Sequence, residues 1–376
     1  MKKIIVPFSS PTINDKDIED VKDALSTRWL TNGMKLKKFE QDTSKYVKTK
    51  YSIATSSCST ALHTVIRSLG IKDGDEVIIP TLTFAATANA VIHCGGRVVF
   101  TEIEEKNIGL DPNEVINNIT SKTKAIIAVH FGGKACEITQ LEKISKEHNI
   151  HLIEDCAHSL GATLNGRMTG SFGDAGCFSF YPTKIMTTCE GGIITTNNEE
   201  IANKSRLLIN HAISENAFDR EESGNIEYDV IDIGYNYRMN EIQASLGISQ
   251  LAQINQFIKM RKNAARIYDD GFNGQELTLM SEDSKRNNNH YLYMIRLKEQ
   301  FGVKRNELAK KLREKGIGTS LHYKPLHLMS AYRKYCESNK KFEISEQIYK
   351  DSLCLPMFPG ITKKQQEYVI ESMIKK

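Results

Sequence analysis

The chain has 376 residues, of which 40% are hydrophobic and 26% are charged. This length and composition predict a soluble globular protein with two domains, or with one large α/β domain and an appendage. The formal net charge of +4 comes from 50 basic and 46 acidic residues spread along the chain, so we expect no nucleic-acid partner. The sequence has no apolar run near the ~20 residues of a membrane span, so we expect no membrane association.

The chain start and the cysteines bear on compartment and metal binding. The segment Met1–Pro7 is too short for a signal peptide, and we expect a cytoplasmic protein. The eight cysteines include no Cys-x-x-Cys pair, which argues against a zinc ribbon and, in a reducing compartment, against structural disulfides. We therefore predict no metal site and interpret most cysteines as small core residues.

Between about residues 50 and 200, short β-branched runs alternate with stretches of helical apolar spacing. The predicted strands are Tyr51–Ala54, Glu76–Ile79, Arg97–Phe100, Ala125–Val129, His151–Glu154, Gly176–Phe180 and Gly192–Thr195. Strands that alternate with helices predict an α/β fold with a mostly parallel seven-stranded sheet, covered on both faces. A ligand of such a sheet is expected at the carboxyl ends of its strands.

A long helical pattern follows Asn240 and ends near the glycines at 271 and 274. After it, residues 290–376 are predicted to form a smaller C-terminal α+β domain, with a strand at Tyr291–Leu297 and a helix around Arg305–Lys315. We place the large domain at residues 1–250 and the connector helix with the small domain at 251–376. The extreme N-terminus is allowed to pack on the small domain. Ser214–Asn225 is polar and is predicted to be a mobile loop.

Lys184 lies in the run Ser179–Gly192, SFYPTKIMTTCEGG, directly after an apolar strand. A lysine held on a stiff turn beside a buried strand loses hydration of its ammonium group, which makes it a candidate Schiff-base nucleophile. Taken alone, an ordinary surface lysine is the simpler interpretation. The case for chemistry therefore depends on other segments.

Two other segments supply complementary groups. The turn Ser56–His63, SSCSTALH, joins a strand to a helix, and its free N–H groups and hydroxyls are typical of an anion site, although a plain serine N-cap is an alternative. The strand Leu152–His158 delivers Asp155 into the cleft, where the carboxylate needs a partner such as a protonated pyridine nitrogen or the neighbouring backbone. Together the loop, the carboxylate and Lys184 predict a cofactor that carries a phosphate and a nitrogen heterocycle.

These residues resemble the DegT/DnrJ/EryC1/StrS sugar aminotransferases, which are pyridoxal-phosphate enzymes of fold type I. The resemblance covers nearly the whole chain. Beyond the segments already given, it includes the motifs Arg28–Gly33, Asp73–Phe84, Gly234–Met239 and His322–His327.

The resemblance implies a role for each matching residue. Lys184 and Asp155 are the expected catalytic pair, as the Schiff-base lysine and the partner of the ring nitrogen. The other expected contacts of pyridoxal 5′-phosphate are Phe84 on the ring, His158 near the phenolic oxygen, Ser59, Thr60 and Ser179 at the phosphate, and Asn236 at the phosphate of the neighbouring subunit. The expected substrate-binding residues are Trp29, Thr31, Lys324 and His327.

Two positions depart from the family pattern, since Cys58 and Cys189 stand where glycines are usual. Both changes bear on local backbone geometry more than on chemistry. Lys184 is retained, which disfavours the dehydratase branch of the family.

The resemblance implies a ping-pong aminotransferase. The enzyme is expected to move an amino group from L-glutamate to a nucleotide-linked keto sugar, with a 4-keto-6-deoxy or 3-keto hexose on a UDP, dTDP or GDP carrier, for surface polysaccharide or glycan synthesis. A homodimer with shared active sites is also implied. Two alternatives stay open, which are a family member acting on a non-nucleotide ketone such as a keto-cyclitol, and a non-catalytic sensor with a pyridoxal fold.

Overall fold

The computed structural model describes residues 5–214, 226–279, 283–336 and 340–374. Apart from Ser214, the segment predicted to be a mobile loop, Ser214–Asn225, lies outside these residues. Within the described parts of the chain, no helix combines the length and the hydropathy that crossing a bilayer requires.

The N-terminal two thirds of the chain alternates strands and helices, and the long helix α8 leads into a second group of elements. The first group is α1 (Asp15–Ser26), α2 (Met34–Val47), β1 (Tyr51–Thr55), α3 (Cys58–Ser68), β2 (Glu76–Pro80), α4 (Ala85–His93), β3 (Arg97–Thr101), α5 (Pro112–Asn118), β4 (Thr123–Val129), α6 (Ile138–His148), β5 (His151–Asp155), β6 (Thr163–Leu164), β7 (Arg167–Met168), β8 (Ala175–Ser179), β9 (Gly192–Thr196) and α7 (Glu199–Leu208). The second is α8 (Glu241–Phe272), β10 (Leu277–Leu279), β11 (Arg286–Asn287), β12 (Tyr293–Leu297), α9 (Arg305–Glu314), α10 (Glu343–Asp351), β13 (Ser352–Leu355) and α11 (Lys363–Met373).

The main sheet has seven strands in the order β1-β9-β8-β5-β4-β2-β3. Strand β9 is antiparallel to β1 and β8, whereas the pairs from β8 to β3 are parallel. Every strand predicted between residues 50 and 200 belongs to this sheet. The prediction of a mostly parallel seven-stranded sheet in an α/β fold is therefore confirmed.

Both faces of the sheet are covered, as the apolar strands require. Val77 and Ile79 pack in a cluster with α3, α4 and α7. Ile78, between them, enters a separate cluster with residues of α5 and α6. Side chains of a strand alternate between its two faces, so each strand contributes to both layers.

The C-terminal elements form a three-stranded antiparallel sheet, β10-β12-β13, beside α9 and α11. Strand β12 begins at Tyr293 rather than at the predicted Tyr291. The reason is that the preceding residues pair elsewhere, since the N–H groups of Asn289 and Leu292 donate to the carbonyls of Gly133 and Gly132. Residues 289–292 therefore lie against the main domain.

Arg261 of α8 holds residues 289–292, the crossing segment, through hydrogen bonds to its backbone. The side chain is 1% exposed, and Nη1 donates to the carbonyls of His290, Tyr291 and Met357 at 3.4, 3.2 and 3.1 Å. Burial lowers the pKa of Arg261 to about 10. One guanidinium thus joins the long helix to the segment that carries Tyr291.

The N-terminal residues pack on the C-terminal elements. Val6 is fully buried and pairs with Ile317, and its N–H donates to the carbonyl of Gly316 at 3.1 Å. The division at residue 250 falls inside the continuous helix α8 and stays a prediction.

Candidate active site

The predicted site residues lie where strands of the main sheet end. β1, β8 and β5 run in one direction, because β9 is antiparallel to the two strands beside it. Across the strands, Thr55 is in register with Gly192, and Gly192 with Ser179. Asp155 is in register with Cys177 on β8. The loop after β1, the turn after β8 and the end of β5 therefore meet at one edge of the sheet.

Lys184 is half-buried on a hydrogen-bonded turn between β8 and β9. Its N–H donates to the carbonyl of Tyr181 at 2.9 Å, and the N–H of Thr188 closes the wider turn on the carbonyl of Phe180 at 3.0 Å. The Nζ atom lies 4.5 Å from the ring centroid of Tyr291. The lysine is thus fixed at its backbone and covered on one side by an aromatic ring.

Asp155 is 5% exposed, and its two carboxylate oxygens are bonded to different groups. Oδ2 accepts the hydroxyl of Thr87 at 2.8 Å, and Oδ1 accepts the N–H of Ala157 at 3.1 Å. Burial raises the pKa of Asp155, while these hydrogen bonds and the charge of Lys184 act in the opposite direction. Both hydrogen-bond donors are neutral, so the carboxylate can still receive a cation from the cleft.

Thr87 was not identified by the sequence reasoning. Its hydroxyl also lies 2.8 Å from that of Thr83, and both threonines are buried. The signal available in the sequence is only the spacing of two threonines four residues apart at the start of α4.

His158 is buried among aromatic rings, with Tyr291 at 4.4 Å between ring centroids. Nδ1 accepts the N–H of Gly132 at 3.3 Å, and Nε2 lies 3.0 Å from the hydroxyl of Tyr323. Burial lowers the pKa of His158 well below its usual value, and the charges of Lys184 and His322 add to this effect. The imidazole is therefore neutral.

The loop after β1 contains both features that the sequence suggested. Ser57 is the N-cap of α3 and exchanges hydrogen bonds with Thr60, so the N-cap alternative is confirmed for Ser57. The hydroxyl of Thr60 lies 3.3 Å from that of Ser56, and Ser59 is exposed on the first turn. The hydroxyls thus surround the amino end of an eleven-residue helix, where a phosphate is electrostatically favoured.

Gly192 allows the close approach of β9 to this loop. A Cβ atom at this position would lie 2.4 Å from the carbonyl carbon of Ser57 and 2.5 Å from the backbone nitrogen of Cys58. Any larger residue would therefore displace the start of α3. Cys189, where the family pattern has glycine, adopts a φ of 65°, in the left-handed region that glycine favours.

Three further predicted cofactor residues have different surroundings. Phe84 is 57% exposed at the start of α4, and its ring centroid lies 5.7 Å from that of Tyr323. Ser179 is half-buried at the end of β8. Asn236 is exposed and pairs with Asn210.

The predicted substrate residues lie in two separate segments. Thr31 pairs with Asn240 next to the start of α8, and Trp29 lies against Gly33 in the same segment. Lys324 is exposed. His327 is 9% exposed, with Nδ1 2.6 Å from the hydroxyl of Thr81 and Nε2 3.3 Å from Glu346. The roles of all four in substrate binding stay predictions.

A buried cluster that includes both chain neighbours of Asp155 combines His130, Glu154 and Cys156, whose ligand-type atoms lie within 4.8 Å of one another. The carboxylate of Glu154 accepts a hydrogen bond from Nε2 of His130 at 2.9 Å. It also accepts hydrogen bonds from the N–H groups of Gly170, Phe172 and Gly173. These hydrogen bonds give the carboxylate a structural function next to Asp155.

The model of the DegT/DnrJ/EryC1/StrS aminotransferase family matches residues 11–374. The chain belongs to this family. Two related proteins and one solved structure extend the match. The spore coat polysaccharide biosynthesis protein SpsC of Bacillus subtilis is 37% identical, with 98% of this chain and 96% of that protein aligned. The UDP-4-amino-4,6-dideoxy-N-acetyl-beta-L-altrosamine transaminase of Campylobacter jejuni is 33% identical, with the same shares aligned.

The solved structure of Spr1654 of Streptococcus pneumoniae in its PMP form superimposes with a TM-score of 0.92, at 30% identity and 98% coverage of both chains. The same protein has also been solved in its PLP form, at a TM-score of 0.91. The expectations of fold type I and of an aminotransferase that uses pyridoxal 5′-phosphate (PLP) are confirmed.

The described residues fit this cofactor. Asp155 is a buried carboxylate whose hydrogen-bond donors are neutral, which suits a protonated ring nitrogen. The amino end of α3, with its hydroxyls, suits the phosphate. Lys184 lies on the same edge of the sheet, and the exposed ring of Phe84 is available for stacking. The assignment of each residue to its cofactor atom stays a prediction.

Proposed function

We propose that this aminotransferase moves an amino group from L-glutamate to a nucleotide-linked keto sugar, a 4-keto-6-deoxy hexose, in two half-reactions of a ping-pong cycle. The product serves surface polysaccharide or glycan synthesis in a cytoplasmic pathway. The observation that carries the proposal is the placement of Lys184 beside a buried Asp155 at the carboxyl edge of the sheet. Its support is the similarity, over the whole chain, to a UDP-sugar transaminase and to a polysaccharide biosynthesis protein.

The cofactor supplies, when bound, the carbonyl group that carries nitrogen and the ring that accepts electrons. Asp155 has the task of keeping the ring nitrogen protonated. For charges ~4 Å apart at an effective dielectric constant of ~20, this attraction is on the order of 4 kcal/mol. The low exposure of Asp155 favours a strong interaction, because little water competes for the carboxylate.

Lys184 has the task of moving the proton in both half-reactions. Its Nζ, when not bonded to the cofactor, would accept a proton from the α-carbon of the amino donor and deliver it to the cofactor carbon that carries the transferred nitrogen. The second half-reaction would run these steps in reverse. The turn that holds its backbone and the ring of Tyr291 at 4.5 Å restrict the positions available to Nζ. Such restriction favours proton transfer between two nearby atoms.

We further propose a homodimer in which Asn236 reaches the phosphate of the neighbouring subunit. Tyr235 and Tyr237 stack on each other at 4.8 Å and pack on His63, so the alternate residue Asn236 is directed to the surface. The segment before it exposes a run of large apolar side chains, which favours a protein partner. These are Ile226, Tyr228, Val230, Ile231 and Ile233.

The decisive experiment starts from the protein converted to its pyridoxamine form. Nucleotide keto sugars on UDP, dTDP and GDP carriers are added one at a time, and return of the absorbance of the pyridoxal form identifies the acceptor. A keto-cyclitol is the matched non-nucleotide probe. Restoration by the cyclitol alone, or by no nucleotide sugar, would contradict the proposed acceptor. Parallel addition of single amino acids to the pyridoxal form tests L-glutamate as the donor.

A further inference from the structure

His158 uses both ring nitrogens within the protein. Nδ1 accepts the N–H of Gly132 at 3.3 Å, so this nitrogen carries no proton. A neutral imidazole has one N–H group, which is therefore on Nε2. Nε2 lies 3.0 Å from the hydroxyl oxygen of Tyr323. His158 consequently donates to Tyr323 and has no second N–H group to offer to a ligand.

Tyr323 keeps its own O–H as a donor. The hydroxyl oxygen accepts from His158, so the hydroxyl proton is available to another acceptor. Across the parts of the chain that the structure describes, His158 is the one hydrogen-bond partner of this hydroxyl. Burial is the largest cause that raises the pKa of Tyr323 well above its usual value, and electrostatic interactions with Tyr291 and Asp155 add to it. The phenol therefore stays protonated at neutral pH.

The position of Tyr323 is fixed by rings on several sides. Its ring centroid lies 5.7 Å from that of Phe84, the residue expected to stack on the cofactor, and 6.3 Å from that of Phe131. The ring of His322 lies at 4.7 Å. A phenol held in this way loses little freedom when it bonds a ligand.

We propose that the Tyr323 hydroxyl donates a hydrogen bond to the phenolic oxygen of bound pyridoxal 5′-phosphate, and that His158 is the positioning residue that orients it. The resemblance of the sequence to the family assigned the phenolic oxygen to His158 itself. The hydrogen bonds of this chain favour Tyr323 because it has the available donor. The inference depends on the cofactor alone and not on the proposed amino donor or sugar.

Tyr323→Phe tests the contact because it keeps the ring and removes only the hydroxyl. A donor to the phenolic oxygen stabilises its anionic form and weakens its hold on a neighbouring proton. Without that donor, the pH midpoint of the cofactor's long-wavelength absorbance change should rise by about 1 unit, the size expected for one hydrogen bond to a charged oxygen. No amino donor or sugar is present in this titration.

Tyr332→Phe is the matched control. It also removes one phenol hydrogen bond, but this one runs to Oδ1 of Asn89 at 2.7 Å and not to His158. The midpoint of this variant should equal that of the wild-type protein. An unchanged midpoint in Tyr323→Phe, or an equal rise in both variants, would overturn the proposal.

Variants of His158 separate positioning from direct contact. Glutamine offers an oxygen to Gly132 and an N–H to Tyr323, so His158→Gln should keep the midpoint close to that of the wild type. His158→Leu removes both bonds and should raise the midpoint in the same direction as Tyr323→Phe. A rise in His158→Leu without a rise in Tyr323→Phe would show that His158 contacts the oxygen itself, which contradicts the proposal.

The tautomer of His158 gives a readout that needs neither cofactor nor variant. In ¹⁵N NMR spectra of the wild-type apoprotein, His158 should be neutral with its proton on Nε2 between about pH 6 and 8. A proton on Nδ1, or a charged ring in this range, would remove the basis of the proposal. Either of these results would overturn the proposal even if Tyr323→Phe fails to fold.

Discussion

Asp155→Asn separates the function of this carboxylate from its effect on stability. The change is nearly isosteric, and the amide oxygen can still accept one of the two hydrogen bonds, from Thr87 or from the N–H of Ala157. What is lost is the negative charge that we propose to face the ring nitrogen. An attraction on the order of 4 kcal/mol corresponds to a loss of about 10³ in the rate of amino transfer. We expect this loss of rate in each half-reaction. The rate is measured from the change in absorbance of the cofactor.

The same substitution should stabilise the apoprotein at neutral pH. Burial raises the pKa of Asp155, so the folded protein binds a proton more tightly here than the unfolded chain does. Stability therefore falls as pH rises from the unfolded pKa of about 3.9 through the folded pKa, and the reduction persists above it. Asparagine does not titrate. The free energies of unfolding of the wild-type and Asp155→Asn apoproteins, measured in urea, should diverge as pH rises between the two pKa values. Above the folded pKa, Asp155→Asn should be the more stable protein.

Asp174→Asn is a control of opposite sign, at a residue just before β8 whose carboxylate is bonded to the start of β5. Burial acts to raise the pKa of Asp174, but hydrogen bonds from His151 and from the N–H of Leu152 outweigh it and lower the pKa. Asp174→Asn should therefore destabilise the protein at neutral pH and leave amino transfer nearly unchanged. Near-normal turnover of Asp155→Asn with an intact spectrum would refute the role of Asp155. An apoprotein less stable than wild type at every pH would refute the electrostatic reasoning.

Three further predictions concern covalent attachment, assembly and stability. Borohydride reduction followed by peptide mapping should place the pyridoxyl group on Lys184, and Lys184→Ala should bind the cofactor without transferring amino groups; a label on another lysine contradicts the assignment. Mixed dimers of Lys184→Ala with Asn236→Asp should regain up to about half the activity of one dimer, since one of the two sites is then intact. No recovery in verified mixed dimers would rule out shared sites. Glu154→Gln replaces a carboxylate that accepts four hydrogen bonds with an amide, and it should lower the free energy of unfolding by ~3 kcal/mol. The control is Glu199→Gln at an exposed residue, for which the free energy of unfolding should change by no more than about 0.5 kcal/mol. Equal urea midpoints of these two variants would show that the bonds of Glu154 contribute little.

The sequence determined much of the fold because its signals are local. The β-branched runs gave the seven strands of the main sheet, and the spacing after Asn240 gave the helix Glu241–Phe272. The motifs around Asp155 and Lys184 also identified the family. Such features are readable because periodicity and turn chemistry act over a few residues.

The tertiary structure alone decided what surrounds these residues. Thr87 lies 68 positions from Asp155 in the chain, and Tyr323 lies 165 positions from His158. Tyr291 reaches Lys184 because the crossing segment pairs with Gly132 and Gly133 and is held by Arg261. No local pattern encodes such contacts, since they depend on how separately formed elements pack. The sequence therefore named the candidate reacting groups, and packing set their hydrogen bonds and their burial.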